Sequence, residues 1–277
     1  MFKRASIYAS FLLLIWLLSP ITSFGAVGGI KDRVDLNVEN VGILPTSPFY
    51  FLKEIRRDLM RMFTKDPVSE AFLELQIVNE TAAELEKVQE FKSNNILAIT
   101  KSIENYKTAQ KRLSSKLEEI KRLPKGRASS KLIEELASKV VLHERFLRSF
   151  EERYTNQEEL KQLTESAKKE LGKTTQAISK AAPAKELVQA VRKTLISTTT
   201  PVASDDVTKQ EIIKSVIDNL EEGASENSKV SFMELRNEFI STSTITTPTI
   251  DITTSTIATS TVLGTSTQSV VPTLLPL

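Results

Sequence analysis

The sequence predicts an all-α protein, either a long antiparallel helical hairpin of the coiled-coil type or an elongated helical bundle, with a disordered Thr/Ser-rich tail. One heptad register runs from Val68 to Ile120 without a proline. A strip that repeats every 3.5 residues cannot be buried by one helix, so it requires a partner helix alongside. Thirteen of the sixteen core positions are apolar, the set being Val68, Ala71, Leu75, Val78, Ala82, Leu85, Gln89, Lys92, Ile96, Ile99, Ile103, Tyr106, Gln110, Leu113, Leu117 and Ile120.

The N-terminus has the composition of an export signal. Lys3 and Arg4 precede an apolar run from Ile7 to Leu18, and small residues near Ala26 suit a signal peptidase. Residues 1–26 are therefore predicted to be a signal peptide, either cleaved or retained as a membrane anchor. Residues 27–42 are predicted to be a polar spacer. The expected location is extracytoplasmic, in the periplasm or at the cell surface.

Charge and cysteine content exclude several classes of function. The chain has 37 basic and 35 acidic residues, and without residues 1–26 the two numbers become equal at 35. This balance, with no basic stripe interleaved with aromatic residues, argues against nucleic-acid binding. The chain has no cysteine, which excludes disulfides and thiolate chemistry. We expect no cofactor and no metal site.

A short amphipathic helix is predicted over residues 48–63, with Ser47 as its cap and Pro48 in its first turn. Its cationic side could place Arg56, Arg57 and Arg61 against an anionic membrane or a partner. The favoured alternative is that its apolar side closes the open end of the hairpin. That side consists of Phe49, Leu52, Ile55, Leu59, Met62 and Phe63.

Two long helices are predicted next, over residues 67–122 and 129–181. Asp66 should cap the first of them, with Pro67 at its first position. Both helices carry a polar interruption near the middle, at residues 93–95 and 155–157. Folding the chain between the helices brings these interruptions to the same height. They would also allow each half to fold back into a four-helix bundle of roughly 25-residue helices, and the sequence leaves both arrangements open.

The remaining chain is predicted to be less regular. A short helix over 184–196 completes a helical domain that spans residues 43–196. A linker over 197–206 leads to short helices within 207–240. The tail, residues 241–277, has 19 Ser or Thr among its 37 residues and cannot bury a core.

Catalytic chemistry has little support in the sequence. His143 is the sole histidine, and no second histidine stands four residues away, so the zinc-protease pattern fails. A half-buried core position is the favoured interpretation. The paired glutamates on the helices, such as Glu118-Glu119 and Glu151-Glu152, are interpreted as solvated surface. No residue is therefore assigned a catalytic role.

A family resemblance rests on a compact motif. The stretch from about residue 43 to about residue 88 resembles the bacterial family catalogued as domain of unknown function 5667, whose members look exported or membrane-attached. No activity is attached to that family, so the resemblance implies export and adds no chemistry. The matching positions are Pro45, Ser47, Pro48, Tyr50, Lys53, Asp66, Ala71 and Leu75.

These patterns favour a non-enzymatic bacterial envelope protein that acts as a helical scaffold or interaction module. Its expected partners are another protein or a second copy bound through helices, a membrane surface, or the cell wall. The alternative is a periplasmic holdase that clasps hydrophobic clients between its helices, or a module that binds membrane surfaces. A cell-wall hydrolase is the least favoured class.

Overall fold

The computed structural model describes residues 34, 36, 38, 40–122, 130–198 and 206–240. Within these residues the protein contains eight α-helices and no strand. The all-α prediction is confirmed, while the predicted signal peptide and the Thr/Ser-rich tail lie outside the described residues. The helices are α1 (Tyr50–Phe63), α2 (Pro67–Phe91), α3 (Ile96–Lys121), α4 (Ser130–Arg153), α5 (Glu158–Ala181), α6 (Ala184–Thr198), α7 (Asp206–Gly223) and α8 (Glu226–Ile240).

The structure takes the folded-back arrangement, and the prediction of continuous helices over 67–122 and 129–181 is wrong. The first is divided into α2 and α3 at the polar interruption, and the second into α4 and α5. The Asn95 side chain accepts a hydrogen bond of 3.0 Å from the Ala98 amide and so caps α3. Asparagine suits such a cap because its amide oxygen pairs with an amide group that the first helical turn leaves free.

Helices α2 to α5 form a closed ring of four. Helix α2 packs on α3, α3 on α5, α5 on α4, and α4 back on α2. The ring buries most of the heptad positions, with Leu85, Ile99, Ile103 and Tyr106 each 0 % exposed. Ile96 departs from the expectation: it is 44 % exposed because it is the first residue of α3.

Helices α6, α7 and α8 form a second layer over one side of the ring. Helix α6 lies on α4, α7 lies on α5 and α4, and α8 joins α6 to α7. A close approach at Gly223 ties α7 to α5, because a Cβ there would stand 2.5 Å from the Gln176 carbonyl oxygen. The predicted short helices over 184–196 and within 207–240 correspond to this layer.

The chain before α1 is not a polar spacer in its described part. Val34 and Leu36 are each 4 % exposed, and the Lys139 ammonium of α4 donates a 2.9 Å hydrogen bond to the Leu36 carbonyl. Val41 is also buried. Apolar residues at alternate positions, Val34, Leu36 and Val38, are typical of an extended segment with one buried side. This signal was missed because the surrounding residues are polar.

The entry to α2 follows the prediction. Asp66 accepts a 2.9 Å hydrogen bond from the Ser69 amide, and Pro67 occupies the first helical turn. Helix α1 begins later than predicted, at Tyr50. The Ser47 hydroxyl accepts a 3.3 Å hydrogen bond from the Phe49 amide within the preceding turn. Ser47 therefore does not cap α1, and the prediction of this cap is wrong. Across the described ranges, none of the helices has the length and apolar content to cross a bilayer.

Candidate functional site: a buried ion cluster under an exposed apolar helix

The polar side of α1 faces the bundle. Tyr50, Lys53, Arg57 and Arg61 recur at intervals of three and four residues, so they share one side of the helix. That side lies along α2, and the two helices run in opposite directions, since Tyr50 meets Glu84 while Arg61 meets Glu74. Long polar side chains therefore bridge the two helices.

Glu84 of α2 is the centre of this interface. Its side chain is 1 % exposed, and one carboxylate oxygen, Oε2, accepts a 2.8 Å hydrogen bond from the Tyr50 hydroxyl. The other oxygen, Oε1, lies 2.7 Å from the Arg57 guanidinium and 2.6 Å from the Lys53 ammonium. One buried carboxylate thus joins three side chains of α1. We call Tyr50, Lys53, Arg57, Glu80 and Glu84 the ion cluster.

Arg57 is the matching centre on α1. Its side chain is 4 % exposed and donates to the Tyr50 hydroxyl at 3.0 Å, to Glu54 at 2.7 Å and to Glu80 at 3.1 Å, in addition to Glu84. Burial alone would lower the pKa of the guanidinium, but the charge of Glu84 and the contacts with Tyr50 and Glu80 raise it above its ordinary value. Arg57 therefore stays charged throughout the accessible pH range.

The Tyr50 hydroxyl connects the cluster to α3. Burial and the neighbouring Glu84 raise its pKa above the ordinary value, so the hydroxyl keeps its proton and donates a hydrogen bond to Glu84. It also accepts hydrogen bonds from Arg57 and from the Asn105 amide, the latter at 3.3 Å. The Lys101 ammonium lies 6.0 Å from the centre of the Tyr50 ring. One tyrosine thus contacts both α2 and α3.

A second ion pair holds the other end of α1. Arg61 donates at 2.6 Å and 3.1 Å to the two oxygens of Glu74, which is 3 % exposed, and at 2.8 Å to Asp58. A guanidinium that meets both oxygens of one carboxylate fixes its orientation as well as its position. Helix α1 is therefore docked at both ends through charge, with few backbone approaches to α2.

The apolar side of α1 faces away from the bundle. The prediction that this side closes the open end of the hairpin is wrong, because its large apolar side chains are between 42 % and 78 % exposed. The physical reason is that α2 presents Glu74, Glu80 and Glu84 to α1, so the cationic side packs inward. We call this surface the apolar face; its exposed fractions are Phe49 61 %, Phe51 56 %, Leu52 42 %, Ile55 57 %, Leu59 51 %, Met62 72 % and Phe63 78 %.

In this orientation of α1, only part of the predicted membrane or partner contacts lies at the surface. Arg57 is buried and Arg61 is engaged with Glu74, so neither projects from the surface as the cationic-face prediction required. Arg56 is exposed, and its contact with a membrane or partner stays a prediction. The motif residue Pro45 is buried, Ser47 is partly buried and Pro48 is exposed in the turn that leads into α1.

Sequence reasoning missed the acidic half of the cluster. Glu84 and Glu80 lie off the heptad strip and were given no role. A signal was present: Leu73, Ile77 and Val88 form a second strip on α2, and Glu84 falls on it. A helix with two buried strips is covered on two sides, so a carboxylate on the second strip requires a cationic partner.

His143 belongs to the core of the ring. It is 2 % exposed, deeper than the half-buried position predicted, and its Nε2 lies 2.9 Å from the Asn79 side-chain oxygen. Its ring is 5.6 Å from the ring of Tyr106. Burial, with a smaller contribution from Lys139, lowers its pKa to about 3. Over the described ranges, His, Asp and Glu side chains nowhere gather in a group of three suited to a metal ion.

The paired glutamates take part in surface ion pairs. Glu118 meets Lys180 at 3.3 Å, and Glu151 meets Lys168 at 2.8 Å, with side chains about a third exposed. These pairs connect α5 to α3 and α4 at the surface. Ion pairs in such surroundings are worth little, typically under about 1 kcal/mol.

Comparison with known proteins gives no match to this chain among family models, curated proteins or solved structures. The resemblance to domain of unknown function 5667 therefore stays a prediction.

Proposed function

We propose that the protein is a non-enzymatic helical scaffold or interaction module exported to the bacterial envelope. The observation that carries the proposal is the apolar face, which a rigid bundle holds outward through the ion cluster. A helix that turns its charged side inward and its apolar side outward presents a binding surface. The export signal predicted over residues 1–26 and the family resemblance support the location.

The holdase alternative loses part of its basis. The heptad strip that would clasp clients is buried inside the ring, with Val78, Leu113 and Leu117 each at most 2 % exposed. Clients could bind between the helices only if the ring opened. A holdase would therefore have to use the apolar face, which is a short surface compared with an unfolded client.

Export is tested with a reporter fusion. Residues 1–44 are joined to alkaline phosphatase, which is active only after it leaves the bacterial cytoplasm, and a Leu13→Arg variant interrupts the apolar run as the matched control. We expect activity from the natural segment and its loss in the variant. Accumulated fusion protein without activity from either segment would contradict the proposal, and the mass of the product distinguishes cleavage from retention.

A further inference from the structure

We propose that the apolar face of α1 lies on the surface of a lipid bilayer and seats the bundle there. This inference rests on the proposed export and adds the partner. The face contains seven large apolar side chains, six on a helix of 14 residues, about 21 Å long, and the seventh, Phe49, at its N-cap. A helix of this kind lies in the plane of the bilayer interface with its apolar side chains among the headgroups and upper acyl chains.

The ion cluster fixes the rotation of α1. Rolling the apolar face inward would move Arg57 and Lys53 away from Glu84 and leave that buried carboxylate without its cations. The apolar face is therefore already exposed in the unbound protein. A surface prepared in this way binds without first rearranging.

The chain that precedes Val34 is short enough to keep the bundle close to a bilayer. Val34 is buried in the bundle, and the apolar run predicted to enter the membrane ends near Leu18. Fifteen residues lie between them, so the sixteen Cα–Cα steps from Leu18 to Val34 span at most about 55 Å when fully extended. While the signal is in the membrane, the bundle cannot move farther away than this, so the local concentration of bilayer around α1 is high.

A second copy of the chain fits the face less well. Half of a cylinder about 21 Å long and about 10 Å across has on the order of 330 Å² of curved surface, so a pair of copies would bury roughly 660 Å² in total. Stable interfaces bury about 1,200 Å² or more. A bilayer has no such requirement, because it conforms to a short helix.

Binding of the apolar face to a bilayer is expected not to require anionic lipid. The cations Arg57 and Arg61 are bound to carboxylates, while the exposed charges on α1 include both Arg56 and Asp58. Attraction to anionic headgroups is therefore a minor part of the binding. This separates the inference from binding through a cationic helix face, which requires anionic lipid and weakens with salt.

The test uses the full chain reconstituted in phosphatidylcholine vesicles whose acyl chains carry a quencher. Because the chain has no cysteine, Met62→Cys can be labelled alone with a fluorophore. Met233→Cys on α8 is the matched control, since Met233 is also exposed, at 51 %. We expect the label at position 62 to lose most of its fluorescence and the label at position 233 to keep it. Adding Leu59→Glu to the Met62→Cys protein should restore the fluorescence several-fold.

Several results would overturn the inference. One is a position-62 label that remains bright although the protein floats with the vesicles, and another is a failure to float. Energy transfer between position-62 labels on two copies, without quenching by lipid, would assign the face to a second copy. Quenching that requires phosphatidylglycerol and disappears in high salt would assign the contact to charge. An active export reporter alongside any of these results would leave the proposed function standing.

Discussion

Replacing Glu84 with glutamine is expected to release α1 from the bundle. The glutamine side chain has almost the same size but carries no charge, so Arg57 and Lys53 lose the carboxylate that lies 2.7 Å and 2.6 Å from them. Removing one partner of a buried ion pair typically costs about 3–5 kcal/mol, because the other charge stays buried without compensation. Detaching α1 allows both cations to reach water, which is the least costly response.

Release of α1 is measured by limited proteolysis with trypsin. In the native protein, Arg57 and Arg61 lie in a docked helix and should be cut slowly. Cleavage of a transiently opened segment follows the population of its open form. A cost of about 3–5 kcal/mol should therefore raise the rate of cleavage in α1 by a factor of about 100 or more, while α3 and α5 remain intact.

Glu90→Gln is the control for this experiment. Glu90 lies on the same helix and pairs at 2.8 Å with Lys87, but both side chains of this pair are about one-fifth exposed. Its loss should cost less than about 1 kcal/mol and leave cleavage in α1 unchanged. Equal cleavage rates in α1 for the natural protein and Glu84→Gln would show that the cluster does not hold this helix.

Acid is expected to destabilise the protein through His143. In the unfolded chain the imidazole has a pKa near 6.5, whereas burial and Lys139 lower the folded-state pKa to about 3. Between these values the unfolded chain binds a proton that the folded chain excludes, so the free energy of unfolding falls as pH falls through this window. Between pH 7 and about pH 4.5 the loss should be roughly 2.5 kcal/mol.

The contribution of His143 is isolated with His143→Gln. Its urea-unfolding midpoints should be compared with those of the natural protein at each pH. The variant should be less stable at pH 7, because the amide replaces a ring that packs on Tyr106 and bonds Asn79. Its stability should fall less steeply with acid, since the carboxylates titrate in both proteins and cancel. Parallel curves from pH 7 to about pH 4.5 would contradict a buried neutral imidazole.

The helical nature of the bundle could be predicted from the heptads, because Leu85, Ile99 and Ile103 recur at the helical spacing and end up buried together. The choice between hairpin and bundle could not. Both pair the same strips, and they differ only in whether the chain turns at residues such as Asn95. The capping preference of asparagine favours a turn there, but a polar residue within a long helix costs little, so the sequence left both arrangements open.

The orientation of α1 could not be read from its own sequence. An amphipathic helix normally buries its apolar side, and Leu52, Ile55 and Leu59 form such a side. The outcome depended on α2, where Glu84 and Glu74 occupy the docking surface. An ion cluster forms only between two segments, so neither segment predicts it alone. The motif includes Tyr50 and Lys53 of the ion cluster, but it does not include their partner Glu84.

Helix α1 turns its apolar side to solvent and its charged side to the bundle. Thiol labelling measures this orientation in dilute protein that lacks residues 1–26, with single cysteines introduced in place of Ile55, Leu59 and Ala82. Ile55 and Leu59 are 57 % and 51 % exposed, whereas Ala82 is 0 % exposed. Cysteines at positions 55 and 59 should react with a maleimide far faster than the one at position 82. Protection of both to the level of position 82 would show that the apolar side packs inward and would contradict this orientation of α1.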